Sequence, residues 1–498
     1  MTLSHVEWEG LNNDIFIKKD DKVFIKSEAL PSGISDIQIS REYDYHIKLI
    51  INGTFHDDKE LNLFKGIVPA GSIIKPFEFE MIDENFNIEY KFENYHIPNS
   101  LDDVNIKNLK DQKNSFELRL DAGNVKRVFK NYSDPIWHIE WFLNGPRYDI
   151  FNKHIEKRIK KKYLLSNDKD FTKMETYNSG YFSVEIHYED KIFNIRVESV
   201  PNQIKPCWSG KIGVMYNIND GYPNTIEKDA LGEILGFIMG RELINVGYTK
   251  YDQCEEIVED FVRSPPVRTP LDIIKICDAP DSPPINLGVN FEVVFNKFAP
   301  IYLDLRDKLK LNYLLYRYWT AQLLLLDVGI PVFGSALEDL IKRWIKANNS
   351  KFSGEYISKD NFERYLAKEL YFLEEQLQDL EYNQNNVEDP SSIIYGKISN
   401  AYEMSISDKI KNFFSDIDLK IGEIENKAIN ARHGFAHGSF IKSDKEFKKH
   451  INNSEAYKTL INRILLKLFD YEWKYIDYYS ENFPERPIDE PIGFIKKG

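Results

Sequence analysis

Cysteine is scarce in this chain: Cys207, Cys254 and Cys277 are the three among 498 residues, and no two form a CxxC pair. An odd count without that spacing argues against a disulfide framework or a cysteine-built zinc site, and it fits a reducing compartment. The first residues, MTLSHVEWEG, lack both a basic stretch and an apolar stretch, so no signal peptide is visible. Apolar runs are interrupted by polar residues within about ten positions, too short to span a bilayer. The expectation is a cytoplasmic protein with no membrane partner. Net positive charge is missing as well. At −14 the chain as a whole is no sponge for nucleic acid, which leaves room only for local positive surfaces. Two such runs occur, KHIEKRIKKKY at 153–163 and KSDKEFKKH at 442–450. The ordinary reading of either is a solvated helix face.

Hydrophobic residues make up 42% and charged residues 29%, the balance of a globular protein, and the length allows two to four domains. The first 200 or so residues read as β. Segments 46–55, 76–83, 86–97 and 115–122 are short, rich in β-branched and aromatic residues, and separated by turn signals. The clearest hairpin is 181–200: Phe182, Val184, Ile186 and Tyr188 alternate before EDK, and Phe193, Ile195 and Val197 alternate after it. That period of two marks one buried face. A helix is predicted over 226–240, where Gly232, Gly236 and Gly240 line one face and permit close packing onto the sheet.

Six prolines between 263 and 288 interrupt any helix and mark a linker. It separates a β-rich region at 1–262, with room for two subdomains, from a helical region at 289–498. Beyond the linker, 309–327, 333–348, 361–380 and 454–479 carry helical apolar stripes, and Ser454 reads as the cap of the last. The fold class is therefore α+β and multidomain, a β-rich N-terminal region followed by an all-α bundle of five or six helices.

Histidine is also sparse, ten in all, yet Arg432, His433 and His437 fall within NARHGFAHGSF at 430–440. In the helix leading there, Ile421, Ile424, Ala428, Ala431 and Phe435 step by three and four as the buried stripe. At about 100° per residue, His433 and His437 lie about 40° apart on one face, with Arg432 near the same side. A zinc hydrolase of HExxH type needs glutamate after the first histidine, where Gly434 stands, and a third ligand. A serine or cysteine nucleophile needs a strained elbow, and Ser439 follows without one. Metal-free RNA cleavage needs less. The 2′-OH is the nucleophile, and the enzyme adds a base, an acid and a cation for the phosphate. Histidine titrates near working pH, and the arginine fork fits phosphate oxygens.

Arg432-His433-xxx-His437 resembles the Arg-polar-xxx-His motif of the HEPN superfamily, and Gly438 after the motif histidine is common there. SALEDLIKRW at 335–344 looks like the early HEPN helix that carries an acidic residue, here Glu338. A β-rich region followed by such a domain looks like the ApeA-like abortive-infection proteins of bacterial antiphage defence, with loose similarity at FIMGRELINVGYTKYD, 237–252. His433 departs from the commoner asparagine at the motif's second position. The resemblance implies a metal-independent endoribonuclease with no cofactor, leaving 2′,3′-cyclic phosphate and 5′-OH ends. It implies a homodimer through the helical domain, with two motifs facing one cleft. Arg432 and His437 would be the catalytic pair, His433 would orient the phosphate, and Glu338 would hold Arg432 or a histidine.

Lys442, Lys445, Lys448 and Lys449 are the candidate RNA contacts, with tRNA the first substrate to try by analogy. The N-terminal region would sense a phage-derived trigger. The alternative is a non-catalytic HEPN-like dimer serving as a binding or regulatory module.

Overall fold

The structure is a computed structural model. It describes residues 15–27, 30–41, 46–56, 77–95, 104–109, 112–121, 123–130, 132–146, 153–162, 171–200, 210–265, 281–286, 288, 291–348, 354–378, 396–436 and 443–494. Two compact units divide the chain. The first is Met1–Pro283 with Leu287–Pro300, and the second is Pro284–Asn286 with Ile301–Gly498. Residues 266–280, the centre of the proline-rich segment, lie outside the described residues.

The first unit is built on two antiparallel sheets. A five-stranded one runs β1 (Ile15–Lys18), β3 (Ile34–Arg41), β4 (Ile47–Thr54), β8 (Gln112–Asp121), β7 (Val104–Leu109). An eleven-stranded one begins at β11 (Lys153–Lys162) and continues through β12 (Phe171–Tyr188), β13 (Lys191–Val200) and β14 (Gly210–Asn217). It then takes in β10 (Trp137–Gly145), β15 (Ile244–Tyr251), β16 (Ile257–Arg263) and β9 (Asn124–Phe129). Last come β6 (Ile88–Tyr95), β5 (Phe77–Asp83) and β2 (Val23–Lys26). Ile37, Leu49, Ile51, Leu118 and Leu120 of the smaller sheet share one core with Phe79, Met81, Tyr90, Phe92 and Val125 of the larger, the packing of a β-sandwich. The predicted strands at 46–55, 76–83, 86–97 and 115–122 are present as β4, β5, β6 and β8. The 181–200 hairpin closes at Tyr188↔Lys191, with Phe182, Val184, Ile186, Phe193, Ile195 and Val197 buried.

One basic run differs from its ordinary reading. Residues 153–162 form β11, not a helix: Ile155 and Ile159 sit among charges, and the strand pairs with β12 from Lys153↔Gly180 to Lys162↔Phe171. The helix predicted at 226–240 is α1, Thr225–Met239. It starts with a capping box, where Asn224 Oδ1 accepts from Glu227 N at 3.0 Å and Glu227 Oε2 accepts from Asn224 N at 2.7 Å. Its glycines divide their work. A Cβ on Gly232 would meet the Phe142 ring of β10 at 3.3 Å, whereas Gly240 ends the helix at φ +74 against Pro283.

In the second unit, α2 (Phe291–Leu309) enters from the first, and Lys310 at φ 52 separates it from α3 (Leu311–Leu323). The apolar run 309–327 is therefore not one helix. It spans that break and a second one before α4 (Leu326–Ala347). α4 starts ahead of the predicted 333, running through Pro331 at the cost of one backbone bond while Ile330 and Phe333 are buried. α5 (Lys359–Gln378) is amphipathic as expected but buries little: Phe362 and Leu370 meet Tyr402, while Tyr365, Tyr371 and Phe372 are exposed. α6 (Ile406–Asp416) and α7 (Glu423–Ala436) precede α8 (Asp444–Leu468).

α8 is buried nearly all round from Asn453 onward, as a central helix must be. Its cap is Ser443, which accepts from Glu446 N, and Ser454 lies mid-helix. The apolar stripe begins only at 454 because none of residues 444–452 is buried. The unit is not wholly helical, since β17 (Lys474–Ile476) pairs with β18 (Glu485–Pro487). Among the described residues, no helix is long and apolar enough to cross a membrane.

Candidate functional site

α7 carries Arg432 and His433 of the motif, and its start is fixed by chemistry that no apolar pattern reports. Glu425 Oε2 accepts from Gly422 N at 2.9 Å, and Asn426 Nδ2 donates to Gly422 O at 2.8 Å. Glu423 and Glu425 in the first turn suit the positive end of the helix dipole. Glu425 Oε1 also accepts from Arg463 Nη1 of α8 at 2.6 Å and from Ile492 N at 2.8 Å, and both charged side chains are 0% exposed. Arg463 spends its other terminal nitrogen on Lys420 O and Ile488 O at 2.9 and 2.8 Å, and its guanidinium lies 4.9 Å from the Tyr475 ring centre. One ion pair thus ties α7 to α8 and to the segment after β18. Further along, Tyr457 Oη donates to Ile429 O at 3.3 Å and stacks on Phe333 of α4.

The buried row of α7 is Glu425, Ala428 and Ile429, with Ile424 and Ala431 half-buried, so the row is turned by about one residue from the predicted stripe. The side chains of Arg432, His433 and Phe435 lie outside the described residues, as do His437, Gly438 and Lys442 entirely. Glu338 is half-buried on α4, and α4 packs against both α7 and α8. Its neighbour Asp339 is paired with Arg343 and Arg317. Lys445, Lys448 and Lys449 are exposed on the first turns of α8. The three helices that hold Glu338, Arg432 with His433, and Lys445, Lys448 and Lys449 are therefore mutual neighbours. Among the described residues, no group of three or more His, Cys, Asp or Glu is placed to hold a metal ion.

Glu425 and Arg463 are absent from the sequence-derived candidates. The available signal was a glutamate three residues after Gly422 at a helix start, a capping arrangement that reports nothing about burial.

A second polar cluster lies in the first unit, under the N-terminal turn of α1. Lys228 Nζ donates to Tyr222 Oη at 3.1 Å, Tyr222 Oη is 3.0 Å from His138 Nδ1, and the His138 ring stacks on Tyr248 at 4.7 Å. Glu140 Oε1 is 3.6 Å from Lys228 Nζ and 3.7 Å from His138 Nε2. These groups satisfy one another and hold α1 to β10. Burial pushes His138 below the usual imidazole range, and the Lys228 ammonium 3.4 Å from Nε2 adds to that against the pull of Glu140. Opened chain binds the proton more tightly than folded chain, so this contribution is complete above about pH 6.5 and is lost as pH falls below it. Thermal melts between about pH 7.5 and 5 should lose up to ~1.4 kcal/mol per pH unit from this group, until its folded pKa is reached. His138→Gln should flatten that part of the profile, and an unchanged slope would assign the acid sensitivity to other groups.

Comparison with known protein families, curated proteins and solved structures finds no match for this chain.

Proposed function

We propose that the chain is a metal-independent endoribonuclease of HEPN type, acting in bacterial antiphage defence by abortive infection. The observation that carries the reading is the packing of α7, with Arg432 and His433 in its last two turns, against the helices bearing Glu338 and the exposed lysines. In this reading His437 takes the proton of the 2′-OH, or returns one to the leaving 5′-oxygen across a two-chain cleft. Arg432 holds the phosphate oxygens as charge builds on them. His433 orients the phosphate, and Glu338 holds Arg432 or a histidine. Lys442, Lys445, Lys448 and Lys449 meet the RNA backbone. The products are a 2′,3′-cyclic phosphate and a 5′-OH, and structured RNA such as tRNA is the first substrate to try. The first unit restrains the site until a phage-derived trigger is sensed, and the active species is a cytoplasmic homodimer.

The test is purified protein with total RNA and EDTA, wild type against His437→Ala, with analysis of the new ends. Cyclic phosphate ends made in EDTA by wild type alone are the expected result. Cleavage lost to chelation would replace this mechanism with a metal-dependent one. No cleavage of total RNA at any protein concentration would leave the non-catalytic HEPN-like dimer.

A further inference from the structure

In the first unit, β12, β13, β14 and β10 lie side by side, and their register sorts two faces. One face is apolar and covered. Phe182, Val184, Ile186, Phe193, Ile195 and Val197 are buried there, and the Phe182 ring meets Phe291 and Phe295 of α2 at 4.9 and 5.9 Å. The opposite face puts Ser183 beside Arg196 and Arg196 beside Met215, with Glu185 beside Asn194 in the next row. These residues and Trp137 line a groove of about 430 Å³. Grooves of that size take small molecules. From Trp137 on β10 to Glu185 on β12 is three strand spacings, about 14 Å.

The groove has an apolar end and a polar end. Trp137 packs on the cluster that holds Ile139, Trp141 and the buried Met215, so the indole is a fixed platform. Further along, Arg196 is held from two sides: its guanidinium lies 3.6 Å from the Tyr181 ring centre, and Nη2 donates to Glu198 Oε2 at 3.2 Å. Asn194 Nδ2 donates to Asp220 Oδ2 at 2.5 Å, which fixes the amide and leaves its carbonyl oxygen as an acceptor. Ser183 and Glu185 are exposed, and Glu185 Oε1 lies 2.8 Å from His187 Nε2.

Charge narrows the ligand. The fully buried Glu198 matches the one arginine, while Glu185 and Asp220 add carboxylates at the polar end. A phosphate or carboxylate ligand would meet those acids without a net cation to offset them. A purely apolar ligand would strip water from the polar end without replacing its hydrogen bonds. A sugar meets both demands. The C–H groups of a pyranose ring pack on the face of an indole, against its negative quadrupole. Each hydroxyl both donates and accepts, so it pairs equally with a carboxylate, an amide carbonyl or a serine hydroxyl.

We propose that this face binds a neutral saccharide, with one pyranose ring on Trp137 and Met215 and hydroxyls of the next on Asn194, Ser183 and Glu185. The clamped Arg196 forms the wall between the two ends. The site is separate from the motif helix and does not depend on the ribonuclease reading.

The test is calorimetric titration of the full chain with maltotriose, cellotriose, mannotriose and tri-N-acetylchitotriose. At least one should bind with a dissociation constant below about 1 mM. Its affinity should stay constant from roughly 50 to 500 mM salt, because no ion pair forms. Ser183→Phe fills the groove from an exposed position and should weaken binding by about tenfold or more with the melting temperature unchanged. Glu185→Ala, also at an exposed position, should cost about tenfold, the loss of hydrogen bonds to a charged group. Trp137→Ala should lose more, and Trp137→Phe, which keeps a ring on the platform and spares the packing behind it, should recover part of that loss. No binding of any of these sugars at about 10 mM would overturn the proposal. So would affinity unchanged in Ser183→Phe. Displacement of the bound sugar by adenosine or AMP would also overturn it, by making the groove a nucleoside site.

Discussion

Alanine at Arg432 or at His437 is expected to lower RNA cleavage by about 10²–10⁴-fold, the range over which one positioned acid, base or phosphate clamp accelerates such a step. Arg432→Lys should fall between wild type and alanine, because lysine keeps the charge but loses the planar fork that grips two phosphate oxygens. His433→Ala divides two roles for the motif's second residue. A loss as large as that of His437→Ala makes it a participant in proton transfer, and a tenfold loss carried in KM makes it a phosphate-orienting group. Growth toxicity on expression should disappear with cleavage in the Arg432 and His437 variants. Circular dichroism and melting temperature are followed alongside, so that loss of activity is separated from loss of fold. Full cleavage by a folded Arg432→Ala or His437→Ala protein would sink the reading.

The β-rich first unit was legible because its signals are local. In 181–200, period-two burial and a two-residue turn both lie within twenty residues, and the structure pairs them in that register. What could not be read was the order of strands. β10 pairs with both β14 and β15, contacts made across long separations by residues that look alike in composition. The run at 153–163 reads in the sequence as a helix face because charge density hides alternation. Only Ile155 and Ile159 are apolar in β11, too few to separate a period of two from one of 3.6. Ser454 reads as a cap for a related reason. The first nine residues of α8 are not buried, so the apolar stripe starts well inside the helix.

The motif itself was legible as residue types at a spacing, and the helix under Arg432 and His433 is present as α7. Its orientation was not. Apolar periodicity put Ile421 and Ile424 on the buried face, whereas the buried row contains Glu425. A charged residue on that face makes sense only once Arg463, 38 residues away, is known to meet it. Sequence patterns treat every glutamate as a solvent-facing residue, so buried ion pairs are what they miss.

That pair sets the second large expectation. Glu425→Ala leaves the Arg463 guanidinium buried with carbonyl partners alone and frees the Gly422 and Ile492 amides, and it should cost about 3–5 kcal/mol. For a unit of about 200 residues this lowers the melting temperature by roughly 6–20 °C. Arg463→Met should be comparably harmful, because it strands the carboxylate. Glu425→Leu/Arg463→Met should recover part of the loss, since two apolar side chains leave no buried charge. The recovery stops short of wild type, because Lys420 O, Ile488 O and the two amides stay unpaired in the double variant. Glu425→Gln gives the functional readout. It keeps the shape and one acceptor but loses the charge that fixes α7 to α8. Assayed well below its melting temperature, it should lower kcat more than KM if the motif depends on how α7 is held. A Glu425→Ala protein that melts within about 2 °C of wild type would mean that the pair contributes no more than a surface salt bridge. The rigidity of the motif helix would then have to come from Ala428, Ile429 and Tyr457 alone.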